Sequence, residues 1–142
     1  MKAKSVFVDS DVVISSLIST KGAAYLLLNS QKEKFTISNI SKKELEEVVE
    51  RLKMNKDNLQ DLIQKRLKVI DLKTHLEKIK NDFKEYASDQ NDLHIVAAAV
   101  RAKAKFLLTY NLRHFNKQKI NQDLGINVLT PGQYMQYLRS MD

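Results

Sequence analysis

The sequence of 142 residues has no cysteine and no tryptophan, and it has only one proline and three glycines. Because cysteine is absent, disulfides and thiolate metal sites are excluded, and the cytoplasm is the compartment that we expect. No apolar run approaches the roughly 18 residues of a membrane span, so we expect no membrane association. Acids interrupt the apolar stretch near the N-terminus, which argues against a signal peptide. No stretch has the composition of a linker, and we predict a single domain over residues 1–142.

The charge is unbalanced toward the basic side. Lysine and arginine together number 24 against 17 acids, which gives a formal net charge of +7. A basic surface of this size suits a polyanion such as RNA or DNA. A solvated lysine-rich surface explains the charge equally well, so the charge alone does not decide between these interpretations.

Five short apolar runs alternate with longer amphipathic runs, and we predict a strand for each short run. The strands cover residues 5–9, 34–38, 68–72, 105–109 and 126–130. The predicted helices are "DVVISSLIS", "GAAYLLLNSQK", residues 41–53 continuing as helix through "NKDNLQDLIQKRL", residues 74–87, residues 91–104, and a last helix from Pro131 through Tyr137. Strands separated by helices pair in parallel through crossovers. The fold class is therefore α/β, with a central parallel sheet of about five strands flanked by helices.

Polar side chains follow the first and the fourth predicted strand at the point where each strand ends. Asp9 and Asp11 come directly after "SVFV", and Thr109 and Asn111 lie in "FLLTYN". Active sites collect at the carboxyl ends of the strands in sheets of this kind. We therefore expect these side chains to share one site.

Asp92 is expected in the first turn of the helix over residues 91–104. Apolar residues follow it at i+3, i+4 and i+7, so its side chain points along the buried face. A structural role is the alternative, because Asp92 and Asp89 would both stabilise a helix N-terminus through the helix dipole. His94 is predicted to be structural, since it lies on a different face of the helix from Asp92.

Glu44 is expected early in the helix over residues 41–53. Ser41 is predicted as the N-cap of this helix, and Glu44 follows three residues later, which is the spacing of a capping box. A capping role is therefore the alternative to a role of Glu44 in the site.

Asp9 is the acid for which a structural role is hardest to find. Burying a carboxylate at the end of a central strand is costly unless the group has a partner. Several carboxylates at one sheet edge would repel one another, and a divalent cation would relieve that repulsion. Ligands that are all oxygen atoms favour hard ions such as Mg²⁺ or Mn²⁺ over zinc.

Four segments, taken in order, resemble the motifs of the PIN-domain nuclease family. They are "VFVDSDVV" with Asp9, "SNISKKELEEV" with Glu44, "SDQNDLHIVAAAV" with Asp92 and "LLTYNLRHF" with Asn111. The resemblance covers essentially the whole chain. It is closest to the small stand-alone bacterial and archaeal PIN proteins, many of which are toxins of toxin–antitoxin pairs. It implies a three-layer PIN-like domain and a Mg²⁺- or Mn²⁺-dependent endoribonuclease that hydrolyses RNA phosphodiester bonds.

The resemblance also implies a role for each matching residue. Asp9, Glu44 and Asp92 would be the acidic metal ligands, with Glu47, one turn further along its helix, as the alternative to Glu44. Asn111 would complete the catalytic set with a neutral oxygen, at a position where the family often has an acid. Four further side chains would support the ligands by hydrogen bonds: Ser10, Asp11, Asp89 and Thr109.

The expected partners follow from the charge and from the same resemblance. Arg113 and His114 in "NLRHF" are expected to contact RNA phosphates, and Lys21, Lys117 and Lys119 are further candidates in loops near the strand ends. A small antitoxin protein and a second copy of the chain, in a homodimer, are the protein partners that the resemblance implies.

Other functions compete for the same residues. "DSDVV" fits the start of an aspartate-nucleophile phosphatase, in which Asp9 would be phosphorylated and Asp11 would act as acid and base. That chemistry needs a lysine and an acidic pair later in the chain, whereas the acids here precede the fourth strand. A receiver domain would accept a phosphoryl group on Asp71, but "VLTPG" lacks the lysine expected after the last strand. A catalytically weak RNA-binding PIN module is the third alternative.

Overall fold

The computed structural model describes residues 5–30 and 34–141. Within these residues the chain forms five strands, named β1 to β5 in chain order: Val6–Val8, Phe35–Ser38, Leu67–Ile70, Phe106–Leu108 and Asn127–Leu129. Neighbouring strands are parallel throughout, and their order in the sheet is β3-β2-β1-β4-β5. The five predicted strands are confirmed, and each is shorter than its predicted range.

Eight helices, α1 to α8, lie in the same described residues: Ser10–Ile18, Ala23–Ser30, Asn39–Arg51, Lys56–Arg66, Leu76–Phe83, Leu93–Arg101, Lys117–Leu124 and Pro131–Ser140. A short 3₁₀ turn, Gln90–Asp92, precedes α6, and another, Leu112–His114, follows β4. Residues 31–32, at the end of the second predicted helix, lie outside the described residues. No single described helix is long and apolar enough to cross a membrane, while the pair Ser10–Ile18 and Ala23–Asn29, bent by 96°, passes by length and composition only.

The sheet is covered on both faces, which confirms the predicted three-layer α/β fold. Val6 and Val8 of β1 face a core shared with α1, α2, α3, α4 and α8, whereas Phe7 faces a core shared with α5, α6 and α7. All three side chains are almost fully buried, which explains why β1 is apolar on both faces. Strands β2 and β3 lie on one side of β1, and β4 and β5 lie on the other, so a crevice is expected beyond the carboxyl end of β1.

The start of α3 differs from the prediction. Ser38 is the N-cap, because its backbone is extended at the end of β2 and its hydroxyl accepts a hydrogen bond from the Ser41 backbone N–H at 3.1 Å. Ser41 is therefore the third residue of the helix, its side chain is fully buried, and its assignment as N-cap was wrong. Glu44 lies beyond the first turn, so the capping-box alternative for Glu44 is removed.

One helix boundary and one whole helix were not predicted from the sequence. Residues 41–53 do not continue into the next segment, because Lys53 takes a left-handed backbone conformation with φ 55° and Asn55 caps a separate helix, α4. Helix α7 was not predicted, and Lys117 and Lys119 lie on it rather than in a loop. Two residues in the sequence mark the ends of this helix: Asn116 is its N-cap, and Gly125, with φ 69°, follows its last residue.

Candidate active site

Asp9 stands where β1 ends and α1 begins. Its backbone N–H still bonds to the Leu108 carbonyl of β4 at 2.9 Å, which extends the sheet ladder by one residue. Its carboxylate caps α1 by accepting from the Ser10 backbone N–H at 2.7 Å and also accepts from the Thr109 hydroxyl at 3.0 Å. The residue is only 8% exposed, so this acid is held inside the protein by the sheet.

Asp11 ties α1 to the segment after β4. One of its oxygens, Oδ2, accepts from the Tyr110 backbone N–H at 3.0 Å and from the Asn111 side-chain amide at 3.1 Å. The Thr109 hydroxyl lies 3.4 Å from the same oxygen and accepts from the Asn111 backbone N–H at 3.0 Å. The Thr109 hydroxyl therefore lies between the carboxylates of Asp9 and Asp11, although nearly a hundred residues separate it from them along the chain.

The buried acids have raised pKa values. Burial, with the charge of Asp11 next, raises the pKa of Asp9 to about 7, although the Thr109 and Ser10 hydrogen bonds oppose this change. Burial also raises the pKa of Asp11 and of Asp92, and the nearby charge of Asp89 adds to the effect at Asp92. These carboxylates are costly to ionise together in the absence of a positive charge.

Asp92 is placed by the 3₁₀ turn that precedes α6. The turn is capped by Asp89, whose carboxylate accepts from the Asn91 backbone N–H at 2.9 Å. Asp89 therefore caps the turn that carries Asp92, which is closer to the structural role given as its alternative than to support of a ligand. On its other side, Oδ2 of Asp92 lies 3.3 Å from Nδ1 of His114, which stands on the 3₁₀ turn after β4.

Glu44 also contacts a histidine. Its Oε2 lies 3.3 Å from Nε2 of His94, whose ring is buried on α6. His94 was predicted to be structural and to lie on a different face of the helix from Asp92, and its contact with Glu44 was not foreseen. Helices α3 and α6 lie on opposite faces of the sheet, and this contact joins them at its carboxyl edge, which cannot be deduced from residue spacing within a single helix.

The three acids predicted as metal ligands line one cleft of ≈ 370 Å³ at the carboxyl edge of the sheet. Its lining residues are Asp9, Ser10, Glu44, Glu47, Val48, Arg51, Asn91, Asp92, His94 and Ile95. On α3 the cleft-facing positions from Glu44 recur at i+3, i+4 and i+7, which brings in both Glu47 and Arg51. Arg51 was missed by the sequence analysis, although this spacing from Glu44 was available as a signal.

The chemistry of these side chains fits a hard divalent cation. The acidic groups offer only oxygen atoms, as Mg²⁺ and Mn²⁺ prefer. Two polar atoms at the site, Oδ1 of Asp11 and Oγ of Ser10, are buried without a hydrogen-bond partner. In the part of the chain that the structure describes, however, no group of three His, Cys, Asp or Glu side chains stands close enough to form a ready cage. The acids share the cleft, with Glu44 and Asp92 each in contact with a histidine.

Of the residues predicted to contact RNA, His114 contacts an acid that lines the cleft. Arg113 is exposed on the turn after β4, and His114 is half-exposed with its Nδ1 directed to Asp92. Lys21 is exposed between α1 and α2. Lys119 is engaged elsewhere, in ion pairs with Glu85 and Asp123.

Comparison with known proteins gives a family match for most of the chain. The sequence model of the PIN domain matches residues 5–113. This range includes Asp9, Glu44, Asp92 and Asn111. No curated protein matches the sequence.

Solved structures share the fold over most of their length. A chain of the "Toxin-antitoxin complex from Klebsiella pneumoniae" matches with a TM-score of 0.63 at 18% identity, over 89% of this chain and 98% of that chain. A chain of "VapBC2 from Rickettsia felis bound to a DNA fragment from their promoter" matches with a TM-score of 0.60 at 20% identity, over 87% and 96%. A chain of "FitAB bound to IR36 DNA fragment" gives a TM-score of 0.60 at 19% identity, over 89% and 94%. These similarities establish a common fold.

Proposed function

The chain belongs to the PIN-domain family, and from this premise we propose that it is a metal-dependent endoribonuclease that hydrolyses RNA phosphodiester bonds. The observation that carries the proposal is the buried carboxylate of Asp9, with its pKa raised to about 7, in a cleft that Glu44 and Asp92 also line. An acid kept in this environment at the carboxyl end of a central strand is a mark of a functional site.

Asp9, Glu44 and Asp92 are the residues that would hold Mg²⁺ or Mn²⁺. A divalent cation, when bound, supplies charge neutralisation and the activation of water. The protein's own groups do the rest of the work by orientation. The Thr109 hydroxyl donates to the Asp9 carboxylate, and Asp11 holds Asn111 by accepting a hydrogen bond from its side-chain amide nitrogen.

The substrate would be held by positive charge around an acidic centre. Arg51 is the one Lys or Arg among the described residues that line the cleft, and it stands on the same face of α3 as Glu44. It has no ion pair among the described salt bridges, so its guanidinium is free to bind an RNA phosphate. His114, which contacts Asp92, and the exposed Arg113 that precedes it would extend this surface, and the net charge of +7 favours approach of a polyanion.

Replacing Arg51 tests the phosphate contact. Arg51→Ala is expected to raise KM for an RNA substrate about tenfold with a small effect on kcat, and to reduce the salt slope of binding by about one. Arg101→Ala is the matched control, since Arg101 is likewise the last, exposed residue of a helix. Equal effects of the two substitutions, measured by steady-state kinetics at several salt concentrations, would contradict a specific contact.

The partners follow from the fold relatives. One matched chain comes from a structure described as a toxin–antitoxin complex, and the other two come from structures described as bound to DNA fragments, which supports a role for this protein as the toxin of such a pair. We expect a small antitoxin protein as its partner, a homodimer as its assembly and the cytoplasm as its compartment. Growth arrest on expression of the chain, relieved by co-expression of the neighbouring small reading frame, would support the pairing, and normal growth would speak against it.

Metal removal is the direct test of the enzymatic proposal. Labelled RNA should be cleaved at internal bonds by the purified protein with Mg²⁺ or Mn²⁺, cleavage should fall to background with EDTA, and excess cation should restore it. A DNA oligonucleotide of the same sequence distinguishes ribonuclease from general nuclease activity. Tight RNA binding without cleavage in any cation would instead favour a binding module. Hydrolysis of a small phosphomonoester with phosphorylation of Asp9 would favour a phosphatase.

A further inference from the structure

His94 is a polar residue on a helix that is largely buried. Helix α6 buries every residue from Leu93 to Ala99, and the ring of His94 is buried among them with 8% of its side chain exposed. Nε2 of the ring lies 3.3 Å from Oε2 of Glu44. The other ring nitrogen, Nδ1, is buried and has no hydrogen-bond partner within the part of the chain that the structure describes.

These contacts do not fit a histidine kept for core stability. Buried polar groups in a core are normally hydrogen-bonded to backbone or to other buried groups. The partner of His94 is a carboxylate that is 45% exposed and lines the cleft, and one ring nitrogen is left without a partner. An apolar residue of similar size would fill the same space without burying an unpaired nitrogen. The polar function of His94 is therefore directed at Glu44.

Glu44 gains the most from the contact. A glutamate that is half-exposed on a helix has three rotatable side-chain bonds, and it samples many positions unless a neighbour restrains it. His94 stands on an element that is rigid because it is packed on the central sheet. A donor on such an element restricts the carboxylate to the wall of the cleft that Asp9 and Asp92 share.

We propose that His94 is a positioning residue whose Nε2–H donates to the Glu44 carboxylate and holds it ready for a divalent cation. The inference rests on the proposed function, because it assigns a role to one of the residues that would hold the cation. Groups that orient metal ligands in this way commonly change metal affinity by 10- to 100-fold when they are removed.

Mn²⁺ binding tests this role without reference to activity. The dissociation constant is measured by electron paramagnetic resonance or calorimetry for the wild type, His94→Leu and His94→Gln, and the Tm of each metal-free protein is recorded. His94→Leu is expected to bind Mn²⁺ about 10- to 100-fold more weakly, with a Tm equal to or above that of the wild type. His94→Gln should stay within a few-fold of the wild type, because its terminal amide can donate to Glu44.

A double-mutant cycle makes the test specific for the pair. In a Glu44→Ala background, His94→Leu is expected to change Mn²⁺ affinity little, because the group that it positions is gone. If His94→Leu does not fold, His94→Asn takes its place, since its shorter side chain keeps polarity but does not reach Glu44.

One result would overturn the inference, and it is distinguishable from failure of the proposed function: the wild type binds Mn²⁺, and a folded His94→Leu protein binds it equally well. If the Tm of that His94→Leu protein is also lowered, His94 is a core residue only. A wild type that binds no Mn²⁺ and cleaves no RNA would remove the proposed function itself, and the role of His94 with it.

Discussion

Replacing Asp9 with asparagine is expected to abolish metal-dependent RNA cleavage and, at the same time, to stabilise the metal-free protein. The carboxylate is buried at the sheet edge beside Asp11, and its raised pKa shows that the folded protein disfavours its charge. Asp9→Asn removes that charge and also removes an oxygen ligand of the cation. Activity and stability should therefore move in opposite directions.

The local hydrogen bonds can accommodate Asp9→Asn. The side-chain oxygen can still accept from the Ser10 backbone N–H, as Oδ1 does now at 2.7 Å. The new amide group can donate to the Thr109 hydroxyl, which can then turn its proton to Asp11 at 3.4 Å. Because both partners are retained, the removed charge dominates the change in stability.

The expected magnitudes are large in both measurements. Cleavage should fall by at least about 100-fold, since a ligand of the cation is lost. The free energy of unfolding of the metal-free protein at pH 8 should rise by on the order of 2–4 kcal/mol, because the pKa of Asp9 is about 7 in the folded protein instead of 3.8. Cleavage of labelled RNA and denaturant unfolding in EDTA measure the two effects.

The matched control is Asp82→Asn, which makes the same chemical change on an exposed acid of α5, outside the lining of the cleft. It should leave both quantities close to those of the wild type. An Asp9→Asn protein that cleaves RNA at the normal rate, or one that is less stable than the wild type in EDTA, would contradict the argument.

The positions of Asp9, Thr109 and Asn111 could be anticipated from the sequence, because the carboxyl ends of neighbouring parallel strands meet at one edge. The apolar runs defined the strands, and the strands defined that edge. Asp92 was predicted in the first turn of the helix, whereas it lies on the 3₁₀ turn just before α6; the apolar residues after it indicated the helix but not this turn. These inferences use only the period of a single element and the rules of sheet topology.

The contact of His94 with Glu44 could not be found in this way. It depends on how α3 and α6 are each oriented on the two faces of the sheet, which is a property of two elements together. The N-cap of α3 illustrates this limit, because it is Ser38 and not Ser41, so the helix begins three residues earlier than predicted, which is most of one turn. A structure is needed to show where the helix begins and which side chains it meets.

Each of the three acids proposed as ligands has a neighbouring side chain that can donate a hydrogen bond to its carboxylate. Asp9 has the Thr109 hydroxyl, whereas Glu44 and Asp92 each have a histidine nitrogen at 3.3 Å. These donors partly offset the repulsion among the acids while no cation is bound. They also come from different elements, so that folding of the whole domain is required to assemble the site.

The raised pKa of Asp9 predicts a specific pH dependence. A cation needs the ionised carboxylate, so below pH 7 its binding must displace a proton from Asp9. With cation below saturation, cleavage should fall about tenfold for each pH unit below 7 and level off above it. Mn²⁺ affinity measured between pH 5.5 and 8.5 should follow the same curve.

The stability of the metal-free protein should change with pH in the opposite sense. The pKa of Asp9 is raised in the folded state above its ordinary value of 3.8, so the folded protein binds more protons than the unfolded chain between these values. Its contribution to stability is thus full below pH 3.8 and is lost as the pH rises to about 7. Unfolding in EDTA should show this decline, and Asp9→Asn should flatten it. Stability that rises over this range, or cleavage that is constant from pH 5.5 to 7.5, would show that Asp9 is ionised throughout and that its burial does not govern cation binding.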